Sequence, residues 1–163
     1  MPIGGDGAYL GGDATAEGDS EAQSEGGDAT GTGSYAGAAT AVSAGGDAEA
    51  RGGDAMASNG VGGGAFAYSL GGEAGAYGGH GDLYGGEAFA GGDPGNPAIG
   101  SLLAAYAEGG NGVAGGGDAT AVRDAGAQAD GGTTNTTTGV CGSATATSAN
   151  GNALARGGNW NQI

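Results

Sequence analysis

Small and variable residues alternate along short stretches of this chain. Runs such as Ala14-Thr15-Ala16, Ala48-Glu49-Ala50, Ala65-Phe66-Ala67-Tyr68-Ser69 and Ala119-Thr120-Ala121-Val122 repeat the pattern from end to end. A period of two places the alanines of a run on one face and the variable residues on the other. Each run therefore predicts a short β-strand with a thin alanine face suited to close packing. Most runs follow a Gly-Gly pair and an acid: GGDATA from Gly11, GGDATG from Gly26, GGDAEA from Gly45, GGDAMA from Gly52 and GGDATA from Gly116. Gly-Gly supplies backbone angles that other residues reach only at a cost. The acid that follows can accept a hydrogen bond from a local backbone N–H. The phrase reads as corner, strand, corner, strand.

The stretch from Gly71 to Ala90 sets three such phrases in succession, GGEAGAY, GGHGDLY and GGEAFA, every seven residues. Two blocks of seven would make one flattened coil. Tyr77 and Tyr84 hold the same place in consecutive blocks, so they are expected to stack in register or to lie on opposed faces. With Phe66, Tyr68 and Phe89 they form an aromatic region suited to a cross-strand ladder, or to a platform for sugar. The spacing elsewhere is less even. Gly26 to Gly45 and Gly52 to Gly71 are nineteen apart, which reads as a short rung with loop insertions.

The fold class expected from this pattern is all-β, a glycine-rich β-solenoid or stack of short strands with Gly-Gly-acid turns. A bundle of polyglycine II helices is the alternative. Composition sharpens the choice. Glycine accounts for 45 of the 163 residues, and Leu, Ile, Val and Phe together number only 16. So little bulky apolar surface cannot build a conventional globular core. Order must then come from main-chain pairing between neighbouring strands and copies of the chain.

Three regions are expected. Residues 1–93 carry the Gly-Gly-acid-Ala repeats. Residues 94–110 form a break, where Pro94 and Pro97 remove ladder donors and Ser101 to Glu108 is an apolar stretch without glycine, readable as two helical turns or as one strand. Residues 111–163 resume the repeats, with a Thr-rich insert and a tail. Within that last region Asn150-Gly151-Asn152 reads as a hairpin turn, and ATAV at Ala39 to Val42 and at Ala119 to Val122 suggests a duplication.

The net charge is −15, with three arginines and no lysine. Nucleic acid is thereby excluded as a partner, and an anionic membrane surface is disfavoured. No segment has the length of a membrane span. Met1-Pro2-Ile3 runs straight into glycine, with neither the basic nor the apolar region of a signal peptide. Cys141 is the single cysteine, which excludes an internal disulfide framework.

Candidate chemistry is sparse. There is no nucleophile elbow, no phosphate loop ending in Lys, and no His/Cys metal cluster, so catalysis is not expected and no cofactor is required. GGHGDLY, with His80 at its centre, bears a partial resemblance to the calcium-binding β-roll of repeats-in-toxin proteins. Asp82 falls one place early for that pattern. The resemblance makes Asp82, with Asp13 and Asp28 in related phrases, the candidate calcium ligands. Candidate assembly contacts are Tyr77, Tyr84, Leu102, Leu103 and Trp160. Asn135 opens an Asn-Thr-Thr acceptor pattern for glycosylation.

The GGDATA phrases give most of the chain a resemblance to glycine/alanine-rich repeat surface proteins: PGRS-type repeats, silks and β-solenoid adhesins. That resemblance implies a structural subunit, with copies of itself as partner, that assembles into an extracellular or cell-surface filament, sheath or coat. The alternatives are a monomeric calcium- or ice-binding β-solenoid, or a segment of a virus fibre.

Overall fold

The computed structural model describes residues 1–91, 104–123, 126–134, 140–148 and 152–159. It is a β-solenoid. Strands β1 (Ala14–Gly18), β3 (Ala39–Ser43), β5 (Ala65–Ser69), β7 (Ala88–Gly91), β9 (Ala119–Arg123) and β11 (Ala144–Ser148) pair in that order into a first sheet. Strands β2 (Ala22–Glu25), β4 (Ala48–Arg51), β6 (Ala74–Tyr77), β8 (Ala104–Glu108), β10 (Gly126–Asp130) and β12 (Asn152–Arg156) make the second. Every strand pairing is parallel. Each coil thus contributes one strand to each sheet, and the strands that pair are successive coils of the same chain.

The alternation decides what lies between the sheets. Ala41, Ala67, Ala90 and Ala121 of the first sheet face Ala50, Ala76, Ala107 and Ala129 of the second, and all are fully buried. A methyl group is the largest side chain most positions hold, so the two sheets approach closely. Each methyl contributes little apolar burial, and the ladders of main-chain hydrogen bonds, worth about 1 kcal/mol net apiece, carry much of the order. Ser43 and Ser69 close the corners between the sheets. The Ser43 hydroxyl accepts from the Gly46 N–H at 3.0 Å. The Ser69 hydroxyl accepts from the Gly72 N–H at 2.8 Å and donates to the Gly46 carbonyl at 2.7 Å.

The repeat is longer than two blocks of seven. Ala14, Ala39, Ala65, Ala88, Ala119 and Ala144 stack in one column, so the chain returns after 25, 26, 23, 31 and 25 residues. The surplus over two strands forms a second, smaller lobe. It is tied by single bridges that run Leu10, Tyr35, Val61, Tyr84, Gly115, Val140 along one column. In GGEAGAY-GGHGDLY-GGEAFA the three blocks supply β6, a turn of this second lobe, and β7.

Glycine makes the waist between the lobes. Among the described residues, twelve backbone hydrogen bonds run from Gly158 through Gly142, Gly132, Gly117, Gly110, Gly86, Gly79, Gly63, Gly53, Gly37, Gly27 and Gly12 to Gly5, crossing from wall to wall at each step. A Cβ at Gly63 would lie inside the carbonyl oxygen of Gly37, and one at Gly79 inside that of Gly53. Only glycine allows the walls to close this far. Close-packed glycine backbone recurs at a corner between the sheets, where a Cβ at Gly72 would meet the backbone of Gly46, but the strands themselves are β.

Two local expectations change. Residues 104–108, readable as helix or strand, are strand β8, paired on both sides within the second sheet. Strands β11 and β12 belong to opposite sheets, so they form no hairpin. The two ATAV runs occupy equivalent positions, in β3 and β9.

Candidate functional site

The acids of the repeat phrase have a structural task that the sequence pattern partly announces. In the second lobe the Asp28 N–H donates to Asp6 Oδ1 at 3.0 Å, the Asp54 N–H to Asp28 Oδ1 at 2.8 Å, and the His80 N–H to Asp54 Oδ1 at 2.7 Å. The series continues with the Asn111 N–H donating to His80 Nδ1 at 2.9 Å and the Thr133 N–H to Asn111 Oδ1 at 2.8 Å. One side chain per coil thereby satisfies an amide of the next. His80 stands in this ladder in the place of an aspartate, as an acceptor. At the entry to the first sheet Asp13 accepts from the Ala38 N–H at 2.8 Å and Asp118 from the Ser143 N–H at 2.7 Å. At the entry to the second, Asp47 accepts from the Glu73 N–H at 2.9 Å.

The candidate calcium ligands are accounted for in the same way. Asp13 and Asp28 belong to two different ladders. Asp82 accepts from the N–H of Asn59 at 3.0 Å, the residue that turns the second lobe with a φ of 62°. Among the described residues no three acidic, His or Cys side chains gather as a metal site.

The outer faces carry the remaining chemistry, and they differ. On the first sheet one column reads Thr15, Thr40, Phe66, Phe89, Thr120, Thr145 and the other Glu17, Val42, Tyr68, Gly91, Val122, Thr147. Phe66 and Phe89 stack with ring centroids 5.0 Å apart and planes 8° apart. On the second sheet the columns read Gln23, Glu49, Gly75, Tyr106, Gln128, Leu154 and Glu25, Arg51, Tyr77, Glu108, Asp130, Arg156. Here Arg51 pairs with Glu49 at 2.6 Å and lies 5.2 Å from the centroid of the Tyr77 ring. Tyr106 donates to Glu108 Oε2 at 2.9 Å.

Burial first, and then the hydrogen bond to Glu108, raise the Tyr106 phenol above its ordinary range. Burial and the neighbouring Glu49 raise Tyr77. The hydrogen bond and charge of Glu49 hold the Arg51 guanidinium still more firmly protonated.

Tyr77 and Tyr84, alike in their blocks of seven, occupy different surfaces. Tyr77 meets Tyr106 at 5.5 Å between centroids on the second sheet. Tyr84 stands in the second-lobe column between Val61 and Gly115. Beside that column runs a groove of 760 Å³, lined by Tyr35, Val61, Leu83 and Tyr84 on one side, by waist glycines below, and by Glu87 and Asp118 at the margin of the first sheet. It continues onto Phe66 and Phe89. No local spacing marks this groove, because its walls come from residues a coil apart. Leu102, Leu103, Asn135 and Trp160 lie outside the described residues.

The ends of the solenoid differ as well. The last rung exposes Ala153 and Ala155, whose column neighbours Ala127 and Ala129 are buried. At the first rung Ala14, Ala16 and Ala22 are buried. There Ile3 bridges Glu25, so residues 2–4 cover the outer end of β2, while β1 is an edge strand.

No protein family and no curated protein matches the chain. Among solved structures, one compared was the springtail antifreeze protein from Granisotoma rainieri, a bundle of nine polyproline type II helices. It is 19% identical over 99% of this chain and 95% of its own, with a TM-score of 0.20, a value that does not indicate a shared fold.

Proposed function

We propose that the chain is a structural subunit whose solenoid stacks rung on rung with further copies of itself, in an extracellular filament, sheath or coat. The observation that carries this reading is the match between the two edges of the first sheet. Strand β1 reads Ala-Thr-Ala and β11 reads Ala-Thr-Ala, in the same columns. A second copy set against β11 would continue alanine on alanine inside and threonine on threonine outside. Ala14 donates its N–H to Ala38, within the sheet, so the alternate amides of Thr15 and Glu17 point to the open edge. Neither edge carries the lysine, proline or bulge that commonly blocks such pairing. An interface of this kind joins unlike surfaces and grows into an open rod.

The test is sedimentation and negative-stain microscopy over a range of protein and salt concentrations. Rods that lengthen with concentration are expected, and Thr15→Pro, which removes an outward amide and the outer threonine but no hydrogen bond within the sheet, is expected to abolish them while the monomer keeps its circular dichroism. Monomers under every condition would end the proposal.

A second reading, an ice-binding solenoid, is favoured by the threonine column. Thr15 stacks on Thr40 and Thr120 on Thr145, a rank formed across strands on a face whose outer columns hold one charged residue, Glu17, among the described positions. Inhibition of ice recrystallisation, lost in Thr40→Lys, is the expected outcome under this reading.

A further inference from the structure

We infer that the groove between the two lobes is a binding site for an extended, neutral, β-linked polysaccharide lying along the solenoid axis. This inference is independent of stacking, since the groove lies within one chain and away from both end rungs.

Two aromatic rings make its wall. Tyr35 and Tyr84 are 57% and 50% exposed and stand in one column with Val61 between them. They are therefore two rungs apart, about 9.5 Å at the usual strand spacing. That is close to the length of two sugar rings in an extended β-linked chain, so the two tyrosines would meet equivalent faces of alternate sugars. The Tyr84 ring lies against backbone: a Cβ at Gly115 would come within 2.6 Å of it. Packed against a glycine and half exposed in the groove lining, the ring offers an apolar surface suited to the C–H face of a pyranose.

The opposite margin supplies the polar half of the recognition. Glu87 and Asp118 line the groove, and carboxylates accept hydrogen bonds from hydroxyl groups. Asp118 spends one oxygen on the Ser143 N–H, which fixes the side chain and leaves the other oxygen for a ligand. Asn59 lines the mouth with an amide able both to donate and to accept. These carboxylates, on a chain of net charge −15, repel uronate or sulfated polymers, so the fitting ligand is a neutral polyol. The site is open along its length, as a polymer requires, and its floor of waist glycines brings backbone within reach.

The experiment is calorimetric titration of the full chain with cellohexaose, and with an oligogalacturonate of equal length as the charged comparison. Saturable binding of cellohexaose and none of the oligogalacturonate is expected. Tyr84→Ala and Tyr35→Ala should each weaken binding about tenfold, the equivalent of a stacking contact near 1.4 kcal/mol. Tyr84→Phe should retain affinity, and Tyr106→Ala, on the far sheet, should leave it unchanged. All variants should keep the melting profile of the parent. No binding of cellohexaose, equal binding of the charged oligomer, or affinity indifferent to Tyr35 and Tyr84 would each overturn the assignment.

Discussion

In the first sheet β3 turns Ala39 and Ala41 inward and Thr40 and Val42 outward; in the second, β4 turns Ala48 and Ala50 inward and Glu49 and Arg51 outward. Inside, the two sheets are nearly interchangeable. Outside, one is a surface of threonine, valine and stacked phenylalanine, the other a surface of carboxylates, arginines and tyrosine. The contrast separates two kinds of constraint. Sheets this close admit a methyl or a serine hydroxyl between them and little else, whatever the molecule does. The outer columns carry no such limit, so the differences between them report on surroundings and partners.

Breaking the shared interior should have the largest effects. Gly63→Ala forces a methyl into the Gly37 carbonyl and is expected to cost about 4 kcal/mol or more, in the exceptional range for one substitution. Its chain neighbour is the control. A Cβ at Gly64 would find nothing nearer than 3.6 Å, so Gly64→Ala should stay within about 0.5 kcal/mol of the parent. Equal destabilisation by the two, measured by denaturant melts, would remove the glycine seam as a determinant of the fold. Next come the alanines. Ala67→Leu and Ala50→Leu overfill the same space from opposite walls, and each should lose about 1–3 kcal/mol; a large inequality would show that the two inner faces are not equivalent.

The ladder of the second lobe ranks below these. Asp54→Ala withdraws the acceptor of the His80 N–H and should cost about 1 kcal/mol, with Asp54→Asn recovering most of it. The outer columns should respond least and unequally. Separating the Phe66–Phe89 stack by Phe89→Ala should cost about 0.5–1.5 kcal/mol beyond lost area. On the second sheet, Arg51→Ala breaks an exposed ion pair worth about 0–1 kcal/mol, and less at high salt. Urea melts at two salt concentrations distinguish the faces: only the loss caused by Arg51→Ala, relative to the parent, should change with salt.

Much of this architecture is legible in the sequence. The alternation Ala-x-Ala placed the alanines inward, and Gly-Gly-acid marked positions where the chain changes direction. What stayed hidden was which corner each phrase makes. Gly71-Gly72 turns the chain from one sheet to the other, whereas Gly78-Gly79 and Gly85-Gly86 press against the opposite wall at the waist, and the three phrases look alike. That ambiguity made blocks of seven pass for the repeat, and left Tyr77 and Tyr84 either to stack in register or to lie on opposed faces. The aspartates misled for a related reason. A carboxylate reaching the amide of the next coil needs a partner about 25 residues away, and no local spacing announces it. Ser43-Ala44-Gly45-Gly46 and Ser69-Leu70-Gly71-Gly72 did hold a usable clue, since a serine two places before Gly-Gly marks a corner between the sheets. The groove was illegible because Tyr35 and Tyr84 share a column through register alone.

The single alanine column from Ala14 to Ala144 also makes the molecule a kind of ruler. One coil consumes roughly 25 residues and adds one strand spacing, about 4.8 Å, to the axis. An insertion or deletion of one whole coil would shift every later rung by that increment and leave each remaining contact of the same type. Dimensions along the axis are then written directly in the length of the gene, in discrete steps.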